Sequence, residues 1–162
     1  MRIAVVSDSH QGLMHLEHFA RFCRREGVEQ IFHLGDVLDD VRWLQHELDI
    51  PVAAVAGNCD FYARHQREVC VTLQGKRFLL VHGDRHGVKM GYERLSYYGE
   101  EQNADCVLFG HTHRAFAGML GRVLMINPGA LKSGSMCLLE VNEKGIEPRF
   151  MDVDRWHDEN AE

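Results

Sequence analysis

The 162-residue chain is 45% hydrophobic and 26% charged, the proportions of one ordinary globular domain large enough to bury a core. A formal net charge of −6 argues against a broad electrostatic footprint on DNA or RNA, and no apolar run approaches the roughly 20 residues of a bilayer-spanning helix. Five scattered cysteines without a CxxC pair suit reduced thiols in a cytoplasmic protein, and the first apolar run breaks at Ser7-Asp8, too early for a signal peptide.

Ile3-Ala4-Val5-Val6 reads as a buried strand that stops in Ser7-Asp8-Ser9-His10. Leu16, Phe19, Ala20 and Cys23 then recur at helical spacing, with Gly27 as the stop. Gln30 to Leu34 is a second strand ending in Gly35-Asp36, and Val37, Leu38, Val41, Leu44 and Leu48 mark one face of a second helix. Pro51 to Ala56 is a third strand ending in Gly57-Asn58-Cys59-Asp60. This alternation predicts parallel pairing with right-handed crossovers.

Glu68 to Leu73 and Arg77 to Val81 flank Gln74-Gly75-Lys76 as a hairpin, whose second arm ends in His82-Gly83-Asp84. A weaker helix is expected over Lys89 to Gln102, followed by a buried strand, Cys106 to Phe109, ending in Gly110-His111-Thr112-His113. From Ala115 the pattern is all-β: Ala115 to Met119, Val123 to Asn127, Ser135 to Val141 and Ile146 to Val153. The polar stretch from Asp154 reads as frayed, which leaves one domain over residues 1–154 and a tail over 155–162. The fold class is α/β. Two mixed β-sheets flanked by helices give a four-layer α/β/β/α sandwich, one sheet begun by the βαβ units and the other closed by the antiparallel strands.

Five apolar strands thus end in Asp8/His10, Asp36, Asn58, His82 and His111/His113. In open α/β sheets ligands gather outside the carboxyl ends of the strands, so these loops should share one rim. Each has a plain structural account when taken alone. Gly35-Asp36 makes a turn or helix cap, Gly57-Asn58 a tight turn, and His82 a hydrogen-bonded histidine near the surface. The five together do not. Seven N and O donors on one rim suit hard-to-borderline divalent metal, and they suffice for two ions if one carboxylate is shared. Asp36, on the middle strand of the set, takes that bridging position.

The remaining candidates read more simply. His33 lies inside a strand and is expected to be a core histidine with a satisfied hydrogen bond. Arg64, His65 and Arg67 form a solvated loop within reach of a phosphate, and nothing fixes His86. Tyr92, Tyr97 and Tyr98 are compatible with a homo-oligomer contact, although helix packing explains them as well. There is no Gly-rich P-loop and no GxGxxG, so neither an NTPase nor a dinucleotide enzyme is supported.

Asp8-x-His10, Gly35-Asp36, Gly57-Asn58, His82-Gly83 and Gly110-His111-x-His113 together resemble the five motifs of the calcineurin-like metallophosphoesterases, over essentially the whole chain. The small single-domain bacterial and archaeal phosphodiesterases of that superfamily are the nearest match. The resemblance implies that Asp8, His10, Asp36 and His113 hold one metal ion and Asp36, Asn58, His82 and His111 a second. It implies manganese before iron, nickel or zinc, and a hydroxide between the ions that attacks a small phosphate ester. Asp36, His10 and Asn58 are the catalytic set it implies, with Asn58 and Cys59 facing substrate. Asn127-Pro128-Gly129 resembles the family's turn that returns the chain beside the site.

Two positions depart from that pattern. Many relatives have a histidine where this chain has Cys59, and a thiol of ordinary pKa is a poorer acid for an alkoxide leaving group. Asp84 stands where relatives often have histidine; it and Asp60 are candidates for orienting ligand histidines. The competing functions are a protein-binding scaffold on the same fold, known in a superfamily member without the full ligand set, and a nuclease. The complete set of seven donors favours the enzyme, while the acidic charge and the lack of added domains count against a nuclease and against stable nucleic-acid binding. No membrane partner is expected.

Overall fold

Burial alternates along each central strand, and that alternation dictates the layers. A computed structural model describes residues 1–60 and 64–161 of the chain. In β1 (Arg2–Val6), Ala4 and Val6 point to one side, and Ile3 and Val5 to the other. Both sides are dry, so β1 must be interior and covered on each face. It pairs in parallel with β2 (Gln30–His33), which pairs in parallel with β3 (Val52–Ala54). The crossovers are α1 (Leu13–Arg25) and α2 (Leu38–Glu47).

The second sheet holds β4 (Glu68–Leu73), β5 (Lys76–Val81), β6 (Cys106–Leu108), β7 (Phe116–Leu120) and β8 (Val123–Asn127) in the order β4-β5-β6-β8-β7. β5, β6 and β8 run parallel, with β4 and β7 antiparallel at the edges. Phe78 and Leu80 of β5 meet Ile3, Val5 and Phe32 between the sheets, while Leu79 and Val81 face α3 (Glu93–Glu101) through Leu95. The result is the expected α/β/β/α sandwich.

Three details differ from the sequence reading. The last hairpin, β9 (Ser135–Asn142) and β10 (Gly145–Asp152), does not close the second sheet. It returns to the first, giving the order β10-β9-β1-β2-β3, with β9 antiparallel to β1. The reason lies in β9 itself. Met136 and Leu138 are buried against the helices, and Cys137, Leu139 and Val141 between the sheets, so only an interior position covers both faces.

The helix expected from Lys89 begins only at Glu93, because Gly91 takes a φ of 152°, outside any helix. The stretch expected to fray is α4 (Val153–Asn160). Asp152 caps it by accepting from the N–H groups of Asp154 and Arg155 at 2.9 and 3.0 Å. Val153 and Trp156 are buried, and the Trp156 ring packs edge-on against Phe22 of α1 at 5.2 Å. The folded unit therefore runs past residue 154 through α4; Glu162 lies outside the described residues.

Candidate metal centre

β1, β2 and β3 of one sheet and β5 and β6 of the other all send their following loops to one rim, where backbone bonds tie loops within each sheet and the His82 and Asp8 side chains bridge the two sheets. Asp8 N–H donates to Gly35 O at 3.0 Å, Gly110 N–H to His82 O at 2.9 Å, and His82 Nδ1 to Leu34 O at 2.7 Å. His111 N–H reaches across to Asp8 Oδ2 at 3.2 Å. Five of the seven expected donors sit in left-handed backbone: Asp8, His10, Asp36, His111 and His113 have φ between 47° and 69°. Such residues cost of order 1–3 kcal/mol each and persist only where the surroundings over-determine them.

The surroundings do so here. The Asp8 and Asp36 carboxylates each have one oxygen fixed by protein donors and the other facing His10 and His82. Asp8 Oδ2 accepts from Ser7 Oγ at 2.6 Å and from the N–H of His111, while Oδ1 faces His113, His10 and His82 at 3.0, 3.8 and 3.9 Å. Asp36 Oδ1 accepts from Cys59 N–H at 3.0 Å, while Oδ2 stands 3.6 Å from His10 Nε2 and 3.5 Å from His82 Nε2. Those last separations are too long for hydrogen bonds. They match two ligand atoms of one ion, which stand about 3.0–3.6 Å apart when each lies about 2.1 Å from the metal.

His10 Nε2 and His82 Nε2 are buried and have no hydrogen-bond partner. A buried imidazole nitrogen normally finds one, so both point to a missing ligand. Three overlapping groups could hold an ion: Asp8, His10 and His113; Asp8, Asp36 and His82; and His10, Asp36 and Cys59. Burial alone would raise the Asp8 carboxyl. The facing His82, the Ser7 hydroxyl, His113 and the His111 N–H outweigh it and hold Asp8 below the usual carboxylate range. The donor set therefore fits one or more divalent cations.

Two expected donors sit differently. The His111 ring lies 5.1 Å from the His82 ring, outside the three groups, and burial, His82 and Lys89 push its pKa down. Asn58 is exposed at the rim, its amide 3.9 Å from Cys59 Sγ. Burial and then Asp36 push the Cys59 thiol up.

Asp60 orients no histidine. It accepts from the N–H groups of Gly57, Leu38 and Asp36 at 2.8, 2.9 and 3.1 Å, tying the β3 loop to the start of α2. His82 is oriented by the Leu34 carbonyl, not by Asp84. His65 Nε2 donates to Ala54 O at 2.8 Å, so it is held by β3, and Arg67 reaches Gly57 O at 3.4 Å. His86 lies against the Tyr98 ring at 5.1 Å and belongs to none of the three groups. Tyr92 packs on Phe109 and Phe116, each at 4.9 Å, and Tyr97 is 65% exposed.

Two supports go beyond the turn at Asn127 and the core histidine His33 that the sequence suggested. Asn127 donates to Gly110 O and Thr112 Oγ1, both at 3.0 Å, and accepts from Gly129 N–H at 2.9 Å, which clamps the loop bearing His111 and His113. Beneath His10 runs a buried chain. Gly35 N–H donates to His33 Nδ1 at 3.2 Å, so His33 Nε2 carries the proton toward Ser9 Oγ at 3.0 Å, and Ser9 donates to Asp40 Oδ2 at 2.6 Å. The paired Ser7 and Ser9 flanking Asp8 were the available signal.

His33 is the satisfied core histidine expected, and burial holds its pKa at about 4 against an ordinary 6.5. The unfolded chain then takes up this proton at a higher pH than the native one, so stability is lost as pH falls from 6.5 toward 4, by about 3 kcal/mol in all. Denaturant midpoints of wild type and His33→Gln should diverge across that window, the wild type falling more steeply. Parallel curves would contradict the neutral buried imidazole.

Residues 1–144 match the Calcineurin-like phosphoesterase superfamily domain. The chain is 33% identical over 158 residues to the probable metallophosphoesterase YsnB of Bacillus subtilis, covering 94% of this chain and 91% of that one. It is 26% identical to the phosphodiesterase MJ0936 of Methanocaldococcus jannaschii, over 80% and 83% of the two chains. Among solved structures, a predicted phosphoesterase from Streptococcus pneumoniae TIGR4 superposes with a TM-score of 0.78 at 25% identity, covering 94% of this chain and 90% of that one.

Proposed function

Because the chain belongs to the calcineurin-like phosphoesterase superfamily, we propose that it is a binuclear metallophosphodiesterase hydrolysing small phosphate esters, diesters ahead of monoesters. The observation that carries this reading is the pair of orphaned nitrogens, His10 Nε2 and His82 Nε2, facing one free oxygen of Asp36. In the proposal Asp8, His10, Asp36 and His113 hold one divalent ion. Asp36, Asn58, His82 and His111 hold the other, with Asp36 bridging and manganese preferred over iron, nickel or zinc. When bound, such ions neutralise charge on the phosphoryl oxygens and bring the pKa of water near 7, supplying the hydroxide nucleophile.

The chain's own groups do the positioning. The fixed oxygens Asp8 Oδ2 and Asp36 Oδ1 hold both carboxylates in place before substrate arrives, so little reorganisation is left for the reaction. Asn58, exposed at the rim, donates an amide N–H to a phosphoryl oxygen. Cys59, its pKa raised, faces the substrate as a neutral donor, not as a nucleophile. The phosphodiesterase name of the archaeal relative supports the diester preference. The free thiols Cys23, Cys59, Cys70, Cys106 and Cys137 suit a reducing, cytoplasmic setting. Among the described residues no helix is long and apolar enough to cross a membrane.

Assays of metal-free protein with added Mn2+ test the reading. Turnover of bis-p-nitrophenyl phosphate should depend on the metal and exceed that of p-nitrophenyl phosphate. No turnover with manganese, iron, nickel or zinc would reject the enzyme and leave a scaffold. Cleavage of single-stranded DNA ahead of both would favour a nuclease.

A further inference from the structure

Beside the loop that carries His111 and His113 opens a cleft of about 510 Å3 lined by Val88 to Tyr92 and by Thr112 and Arg114. Thr112 sits between His111 and His113, and Arg114 follows directly, so one wall is continuous with the loop that carries two expected donors. That wall is rigid. Asn127 Nδ2 holds Thr112 Oγ1, which also accepts the Arg114 N–H at 3.2 Å.

The cleft is cationic although the chain as a whole is acidic. It presents two cations, Lys89 and Arg114, facing one volume. The arginine–carboxylate pairs of the described residues involve Arg2, Arg24, Arg42 and Arg155, and no lysine is paired, so both cations are uncommitted. Beside them lie Met90, 94% exposed, and Tyr92, whose ring is immobilised by Phe109 and Phe116. A thioether left this exposed has no packing role in the fold, and methionine suits an adaptable contact with a flat ring. Two unpaired cations beside an aromatic wall suit an anion joined to a planar group.

We infer that this cleft receives a nucleotide-like arm of the substrate, its second phosphate held by Lys89 and Arg114 and its base set against Met90 and Tyr92. The inference rests on the phosphodiesterase reading and narrows it. A diester lying over the free oxygens of Asp8 and Asp36 has two arms. One passes the exposed Asn58–Cys59 rim, where no cation is needed, and the other enters the cleft.

The test compares kcat/KM for the deoxyadenylate dinucleotide with and without its 5′-phosphate, using the full chain with Mn2+. The added phosphate should raise kcat/KM about tenfold in the wild type, through charge-assisted bonds to both cations. That ratio should fall toward one in Lys89→Ala and in Arg114→Ala. Because both substrates are measured on one preparation, the ratio is independent of how much protein is folded or metal-loaded. A wild-type ratio near one, a ratio unchanged in both variants, or turnover of bis-p-nitrophenyl phosphate without turnover of either dinucleotide would overturn the inference. Failure on bis-p-nitrophenyl phosphate as well would remove the phosphodiesterase reading beneath it.

Discussion

Replacing Asp36 with asparagine should lower metal-dependent diester hydrolysis by about 1,000-fold or more, since in the proposed centre a shared anionic ligand would become a neutral amide. The substitution is close to isosteric, and an amide oxygen can still accept the Cys59 N–H now held by Oδ1. The amide nitrogen then faces His10 and His82, where only a lone pair serves. Folding should survive. The metal-free variant should melt at or above the wild-type temperature, because Asp8 no longer faces a second buried carboxylate. The rise in melting temperature that Mn2+ produces in the wild type should shrink or vanish. Equal rates in variant and wild type would reject Asp36 as the bridging residue.

Gly110→Ala should cost stability and activity together, for a steric reason. The φ of Gly110 is not in the left-handed region, so its backbone tolerates any side chain. A Cβ there would overlap Ser7 Oγ and stand 2.8 Å from Asp8 Oδ2. Ser7 would have to leave the oxygen it fixes, and Asp8 would turn with it. Overpacking of this kind costs about 1–3 kcal/mol. A displacement of about 1 Å at a catalytic ligand costs about 100-fold in rate. Gly145→Ala, with nothing within 4 Å of the new Cβ, is the matched control and should change neither. Wild-type activity in Gly110→Ala would show that Asp8 needs no such support.

The strand ends were legible because parallel strands advertise themselves as short apolar runs, and the residues that follow them were ligand types each time. The two-sheet sandwich followed from the same runs. The partner of β9 was not legible, because the residues of β9 and β1 that pair are more than 130 positions apart and nothing local names the partner. α4 was misread because only Val153 and Trp156 bury in a charged stretch, although Asp152 is an ordinary N-cap signal.

At the site, residue type gave the donors but not their supports. That Asp60 binds three backbone N–H groups and that Asn127 clamps a loop 15 residues upstream are tertiary facts. The left-handed backbone of Asp8, His10, Asp36, His111 and His113 also leaves no mark in sequence, since only glycine announces such a conformation.

In the proposed centre, donors spread from residue 8 to residue 113 grip a pair of cations. Calorimetric titration of metal-free protein with Mn2+, checked by elemental analysis, counts them directly. Two ions per wild-type chain is the predicted result; one ion or none would contradict it.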